Sequence, residues 1–322
     1  MRLRADGWFR AFENHEWMLT EGAIIERLHR DPSIVLDPAL LHGALLYGDA
    51  GRAALSGLWR EYLAVACESA LPIMLQTPTW RVTAERLARS AHPPLAKIMR
   101  DSVLLLEELR MACGSHASKV AIAGLTGCRG DAYKPAEALS AADAELFHRP
   151  QIEALSEADP DLLFAATMPA LSEAVGMARL MAVSELPYII SFVLRPSGEL
   201  LDGTPLGEAV SAIDNAAARP PLGYFANCVH PANMLSALDF AVQVAPHLPG
   251  RIVGLQGNAS RQSPEELNES DALKSDGPES FVEAIPALAG RHGLRIFGGC
   301  CGTDGRYLAA LSRQIAALKA VQ

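Results

Sequence analysis

Three cysteines carry the strongest chemical signal in this 322-residue sequence. Cys300 and Cys301 stand side by side in Gly298-Gly299-Cys300-Cys301-Gly302-Thr303-Asp304, and Cys228 follows Asn227 far upstream. Three thiolates suit Zn²⁺ and leave its fourth tetrahedral position open, which marks a catalytic rather than a structural site. A substrate thiol entering that position would be deprotonated at neutral pH and become a nucleophile. Neighbouring residues on a regular strand face opposite ways, so Gly298 and Gly299 are expected to break the strand and let both thiols share a target. The amides of the helix that follows would favour thiolates. Two other readings stay open: a redox disulfide between the adjacent pair, and plain core packing for Cys228.

The other thiols carry less. Cys67 and Cys113 fall on helix faces and read as small buried apolar residues. Cys128, in Gly127-Cys128-Arg129-Gly130, reads as a loop bystander. His230 stands two residues after Cys228 and could be taken for a fourth ligand. His148 and Arg149 have no nucleophile or base nearby in sequence and read as structural. Gly124-Leu125-Thr126-Gly127 is too short for a phosphate loop and lacks its Lys.

Thiols this far apart in sequence need a scaffold that gathers strand ends. Short apolar runs at 17–20, 71–76, 119–123, 162–166, 188–194, 223–227, 252–256 and 294–297 read as buried parallel strands. Amphipathic helical patterns separate them at 52–69, 102–112, 141–158, 172–184, 205–217, 231–245, 278–292 and 303–321. In the first, Leu55, Leu58, Trp59, Tyr62, Leu63 and Ala66 form one stripe; in the third, Leu146, Ile152 and Leu155 do. Eight strand-then-helix units in one chain predict an α/β fold, a (β/α)₈ barrel in a single domain over 17–322 with an extension at 1–16. A doubly wound sheet is the runner-up. A barrel rings the C-terminal ends of its strands around one mouth, so strands six and eight would bring Cys228, Cys300 and Cys301 together. The polar stretch 258–277 reads as a long loop on that face.

Composition removes other classes. Half of the chain is apolar, and 28 basic against 37 acidic residues give a net charge of −9. That is too apolar for disorder and too acidic for a general nucleic-acid binder. The N-terminus has no apolar signal-peptide centre, and no apolar run approaches the ~20 residues that span a bilayer. These features, with the cysteine layout, predict a cytoplasmic protein without a membrane partner. They leave a homo-oligomer open.

Several segments together resemble the homocysteine S-methyltransferase family. Gly298–Thr303 and Asn227-Cys228 carry the likeness, with Phe147-His148-Arg149-Pro150-Gln151 beside them. Glu21-Gly22-Ala23, Thr77-Pro78-Thr79-Trp80, Ala123-Gly124-Leu125-Thr126-Gly127 and Asp202-Gly203-Thr204-Pro205 fit in order, so the likeness spans residues 17–317. It implies a zinc-dependent barrel that methylates a thiol, with Cys228, Cys300 and Cys301 as zinc ligands. It also implies that Glu21, Thr77, Thr167 and Asn227 bind substrate, and that the partners are a small-molecule thiol and a methyl donor.

The sequence departs from the family in substrate recognition. Glu21 keeps the acidic charge after strand one but adds a methylene. The family's second carboxylate, after strand four, is replaced by Ala166 in Phe164-Ala165-Ala166-Thr167. An ammonium in a partly dry pocket wants a negative partner, and losing one of two costs ~1–3 kcal/mol. Glu26 could compensate, or could be a solvated carboxylate at a helix start. The acceptor is therefore homocysteine or a related thiol. The chain has no room for a corrinoid or folate domain; a separate corrinoid protein could deliver the methyl, and a small onium donor would fit alone, held by aromatic faces with Trp80 and Tyr133 as loop candidates. The alternatives are a family member that keeps zinc without catalysis, and a vicinal-thiol redox protein.

Overall fold

In the computed structural model the described residues are 5–263, 266 and 273–320. Eight parallel strands close into a barrel in chain order. They are β1 (Met18–Thr20), β2 (Ile73–Gln76), β3 (Val120–Gly127), β4 (Leu162–Met168), β5 (Tyr188–Phe192), β6 (Gly223–Val229), β7 (Ile252–Gly257) and β8 (Ile296–Gly299). All eight fall where the apolar runs put them, and β1 pairs with β8 to close the ring. Nearly every strand residue is buried, as expected when side chains fill the inside and helices cover the outside. Among the described residues no helix is long and apolar enough to cross a membrane.

The strands differ from expectation at their C-terminal ends, where the site lies. β3 runs on to Gly127, β4 to Met168, β6 to Val229 and β8 to Gly299. The glycines of β8 do not break it: Gly298 and Gly299 still pair with Gln256 and Gly257 of β7. Space is their reason. A Cβ on Gly298 would lie 1.9 Å from Thr20 Oγ1, and one on Gly299 2.0 Å from Thr303 Oγ1.

Local chemistry sets the helix ends. Ser140 Oγ accepts from Asp143 N at 3.2 Å and starts helix Ala141–Ala158. Asp304 caps Gly305–Lys319 through Arg306 N. The stretch read as one helix at 278–292 is two, Gly277–Val282 and Ile285–His292, with Pro286 in the first turn of the second. Two side chains face the other way from the reading of the sequence. Leu146 is 72% exposed, because its helix buries Ala144, His148, Gln151 and Leu155 instead. Cys67 is exposed, one position past the last residue of the buried stripe that ends at Ala66.

The residues set apart as an N-terminal extension include a helix, Asp6–Glu13. Its Trp8 is fully buried and packs with Ala5 and Ala11 against Met18, Met74, Ala121, Ile189 and Ile296. These lie toward the N-terminal ends of their strands, so the helix stoppers the end of the barrel opposite the site. Trp8→Ala should lower unfolding free energy by about 3–5 kcal/mol in urea. A loss under 1 kcal/mol would mean that the helix does not seal the core.

Candidate metal and thiol site

The three thiols meet at the C-terminal rim. All three Sγ atoms lie within 4.8 Å of one another. Cys228 Sγ and Cys300 Sγ are 2.9 Å apart, and Cys300 Sγ and Cys301 Sγ 4.0 Å. Cys228 is buried, Cys300 half-buried and Cys301 at the exposed edge.

Each element delivers its thiol by leaving regular geometry. The β6–β7 register shifts between Asn227 and Val229, and Cys228 takes φ 57° in the left-handed region. That bulge turns its side chain to the mouth. β4 shifts in the same way between Ala165 and Met168, where Thr167 takes φ 54°. One side chain pins both: Asn227 Oδ1 accepts from Thr167 N at 3.0 Å and from Ser191 Oγ at 2.6 Å, while Nδ2 reaches Cys228 Sγ at 3.8 Å. After β8, Cys300 N donates to Gly257 O at 2.7 Å, and Gly302 turns the chain at φ 81°. Glu26 Oε2 accepts from Gly302 N at 2.8 Å, so Glu26 braces the thiol turn and is not simply solvated.

A tetrahedral ion with metal–sulfur bonds of ~2.3 Å holds two sulfurs about 3.8 Å apart. The Cys300–Cys301 spacing matches, and Cys228 and Cys300 need only open. Soft sulfur donors with one side facing a cavity therefore fit a thiophilic cation with an open position. Hydrogen bonds among the thiols, of both signs, and then burial hold all three above the ordinary thiol range.

The cavity beside the thiols has a volume of about 330 Å³. Glu21, Thr77, Thr167 and Asn227 all line it, as do Gln76, Gln256, Trp80, Tyr133 and Ala166. Their free atoms differ. Thr77 Oγ1 is shared with Thr79 Oγ1 and Leu125 N. Thr167 Oγ1 accepts from Trp80 Nε1 at 3.0 Å. Glu21 accepts on Oε2 from Trp59 Nε1 at 3.0 Å and from Gln76 N at 2.9 Å; Oε1 has no partner among the described residues. Burial pushes the Glu21 carboxyl up to about 8, against the lowering effect of those two donors. Of the two carboxyl groups in the lining, Glu26 is engaged by Gly302 N and Arg30 and Glu21 keeps one oxygen free, while Ala166 leaves none on the β4 side.

The aromatic candidates separate. The Trp80 ring already carries the Arg81 guanidinium 4.0 Å from its centroid. Tyr133 has no such cation among the described residues, and it packs against the cluster that holds Cys228. Its loop is held by Glu173, fully buried, which accepts from Arg129 N at 2.7 Å, Leu139 N at 3.2 Å and His148 Nε2 at 2.8 Å. His148 is therefore structural, and Arg149 lies outside near Glu153. His230 is not a fourth ligand: Nδ1 accepts from Ala232 N at 3.1 Å and the ring packs on Phe281. Cys128 is buried outside the cavity lining. Of the polar loop at 258–277, residues 264–265 and 267–272 lie outside the described residues.

Reading the sequence alone missed Trp59, Gln76 and Glu173. Trp59 was legible only as part of a helix stripe; nothing local says that its indole N–H points at Glu21.

Glu21 should leave a pH signature. Its folded-state value lies above the ordinary 4.5, so the folded protein binds the extra proton between about pH 4.5 and 8. Stability from this group is full below that window and falls as pH rises through it. In urea unfolding from pH 5 to 8.5, wild type should lose stability relative to Glu21→Gln. A difference that does not change with pH would refute the assignment.

The comparisons with known proteins follow the same geometry. The family described as Homocysteine S-methyltransferase matches residues 18–315. No curated protein matches the chain. Among solved structures, the metallated homocysteine methyltransferase MmuM from Escherichia coli is similar, with 23% identity and TM-score 0.72, over 95% of this chain and 99% of that one. The oxidised form of the same enzyme gives 24% and 0.73 over the same shares. At that identity the structures speak to fold, whereas the family match spans nearly the whole sequence. The chain belongs to the homocysteine S-methyltransferase family.

Proposed function

We propose that the protein is a zinc-dependent S-methyltransferase that moves a methyl group from a small onium-type donor to homocysteine or a related thiol. The observation that carries this reading is the meeting of three thiols, open on one side, at a cavity that also holds the half-engaged carboxyl of Glu21. The solved relative in metallated form supports a metal in the family. Six free cysteines suit a reducing, cytoplasmic setting.

Cys228, Cys300 and Cys301 would hold the zinc, which when bound supplies deprotonation and orientation of the substrate sulfur. The chain's own residues do the rest. Asn227 fixes Cys228 in its left-handed position, and Glu26 fixes the turn after Cys301. Glu21 gives up its proton when an ammonium enters and then binds that group as a carboxylate. Thr77, Thr167 and Asn227 shape the pocket beside the acceptor. The cavity holds the acceptor sulfur in line with the donor methyl, an advantage of orientation. In the transfer a new sulfur–carbon bond forms as the onium–carbon bond breaks, and its electron pair leaves with the neutral product. Tyr133 is the aromatic best placed to face the onium charge.

Metal analysis should find one zinc per chain, and Cys301→Ser should lose both zinc and transfer. Full activity in that variant would refute the mechanism. Calorimetry of the zinc-loaded protein with homocysteine tests the acceptor. Micromolar binding identifies homocysteine itself, whereas no binding with transfer to another thiol places the specificity in the exchange at Ala166.

A further inference from the structure

His42 is a cavity residue whose ring is unpartnered among the described residues. It opens the short 3₁₀ turn His42–Tyr47 and lines the same cavity as Glu21 and the thiols. It is 3% exposed, yet no hydrogen bond engages its ring among the described residues, and its Nδ1 is wholly buried without a partner. Burial keeps the imidazole neutral, pushing it down to about 3. A neutral ring carries one N–H. A buried N–H without a partner is rarer than a buried acceptor without one, so the proton is assigned to Nε2, the ring nitrogen that is not wholly buried. His42 therefore presents a donor to whatever fills the pocket.

The lining contains no Lys or Arg; its ionisable groups are Glu21, Glu26, His29, His42, Tyr133 and the three thiols. A ligand carboxylate entering here finds no fixed positive side chain, so a neutral donor gains in importance. Glu21 and His42 then make opposite demands, one for a cation and one for an acceptor.

Building on the methyltransferase reading, we propose that His42 determines acceptor specificity by donating from Nε2 to the carboxylate of the thiol substrate, which makes the acceptor a thiol amino acid rather than a thiol amine. His42 touches the end of the substrate remote from sulfur, so it selects the acceptor without entering the transfer step.

The test is calorimetric titration of the zinc-loaded protein with L-homocysteine and with 3-aminopropane-1-thiol, which lacks only the carboxylate. Wild type should bind homocysteine at least about ten-fold more tightly, the fold-change of one charge-assisted hydrogen bond. His42→Phe should erase that preference, weakening homocysteine and leaving the amine thiol within about two-fold of wild type. His42→Gln, which keeps an N–H, should retain most of it. Equal affinities in wild type would overturn the proposal even if a variant fails to fold, and so would a preference that survives His42→Phe. If wild type binds neither thiol, the role given to His42 falls, and the methyltransferase reading falls with it only if no other thiol accepts a methyl group. If both bind equally, that reading stands and only the role of His42 falls.

Discussion

The site depends on a small tie between strand ends. A parallel barrel carries all its strands to one rim, but regular strands alternate their side chains and give no control over which residues converge. Cys228 reaches the other thiols because β6 bulges there and its backbone turns left-handed. A β-carbon makes that turn costly. Asn227 holds it: one carboxamide oxygen joins β4, β5 and β6 through Thr167 N and Ser191 Oγ. The same bonds stabilise the second left-handed residue, Thr167, so the two strained positions share one support.

On the other side of the cluster the constraint is steric. Gly298 and Gly299 let β8 lie against Thr20 and Thr303 with no room for a methyl group. Thr303 ties the turn together, donating from Oγ1 to Cys300 O and accepting from Ala23 N. The loop after β1 is thereby fastened to the loop that bears two thiols. Glu26 and Thr303 thus tie the β1 loop to the turn that carries Cys300 and Cys301.

Electrostatically the cavity lacks a Lys or Arg in its lining, and Glu26 is engaged by Gly302 N and Arg30. Glu21 is costly to ionise, His42 is neutral, and Arg81 is spent on Trp80 and on the carbonyls of Cys128 and Gly130. Such a pocket binds ligand charge only where the ligand brings its own complement, which favours a zwitterion over a bare cation or anion. The net charge of −9 is a sum over the whole chain and does not describe the site.

The sequence by itself determined the architecture and which three thiols meet at its rim. Eight apolar runs separated by helical periodicity can bury their faces together in few ways, and thiols after runs six and eight must then share a rim. These inferences needed only periodicity and residue type. Tertiary structure decided the function of side chains whose partners lie far along the chain. Glycines that read as strand breakers are clearance for Thr20 and Thr303. Leu146 faces outward because His148 turns inward to meet Glu173. Trp59 looked like core and is a donor to Glu21; His42, unremarked in its turn, lines the cavity. Burial and hydrogen-bond satisfaction are set by three-dimensional neighbours, and no local pattern of residue types encodes them.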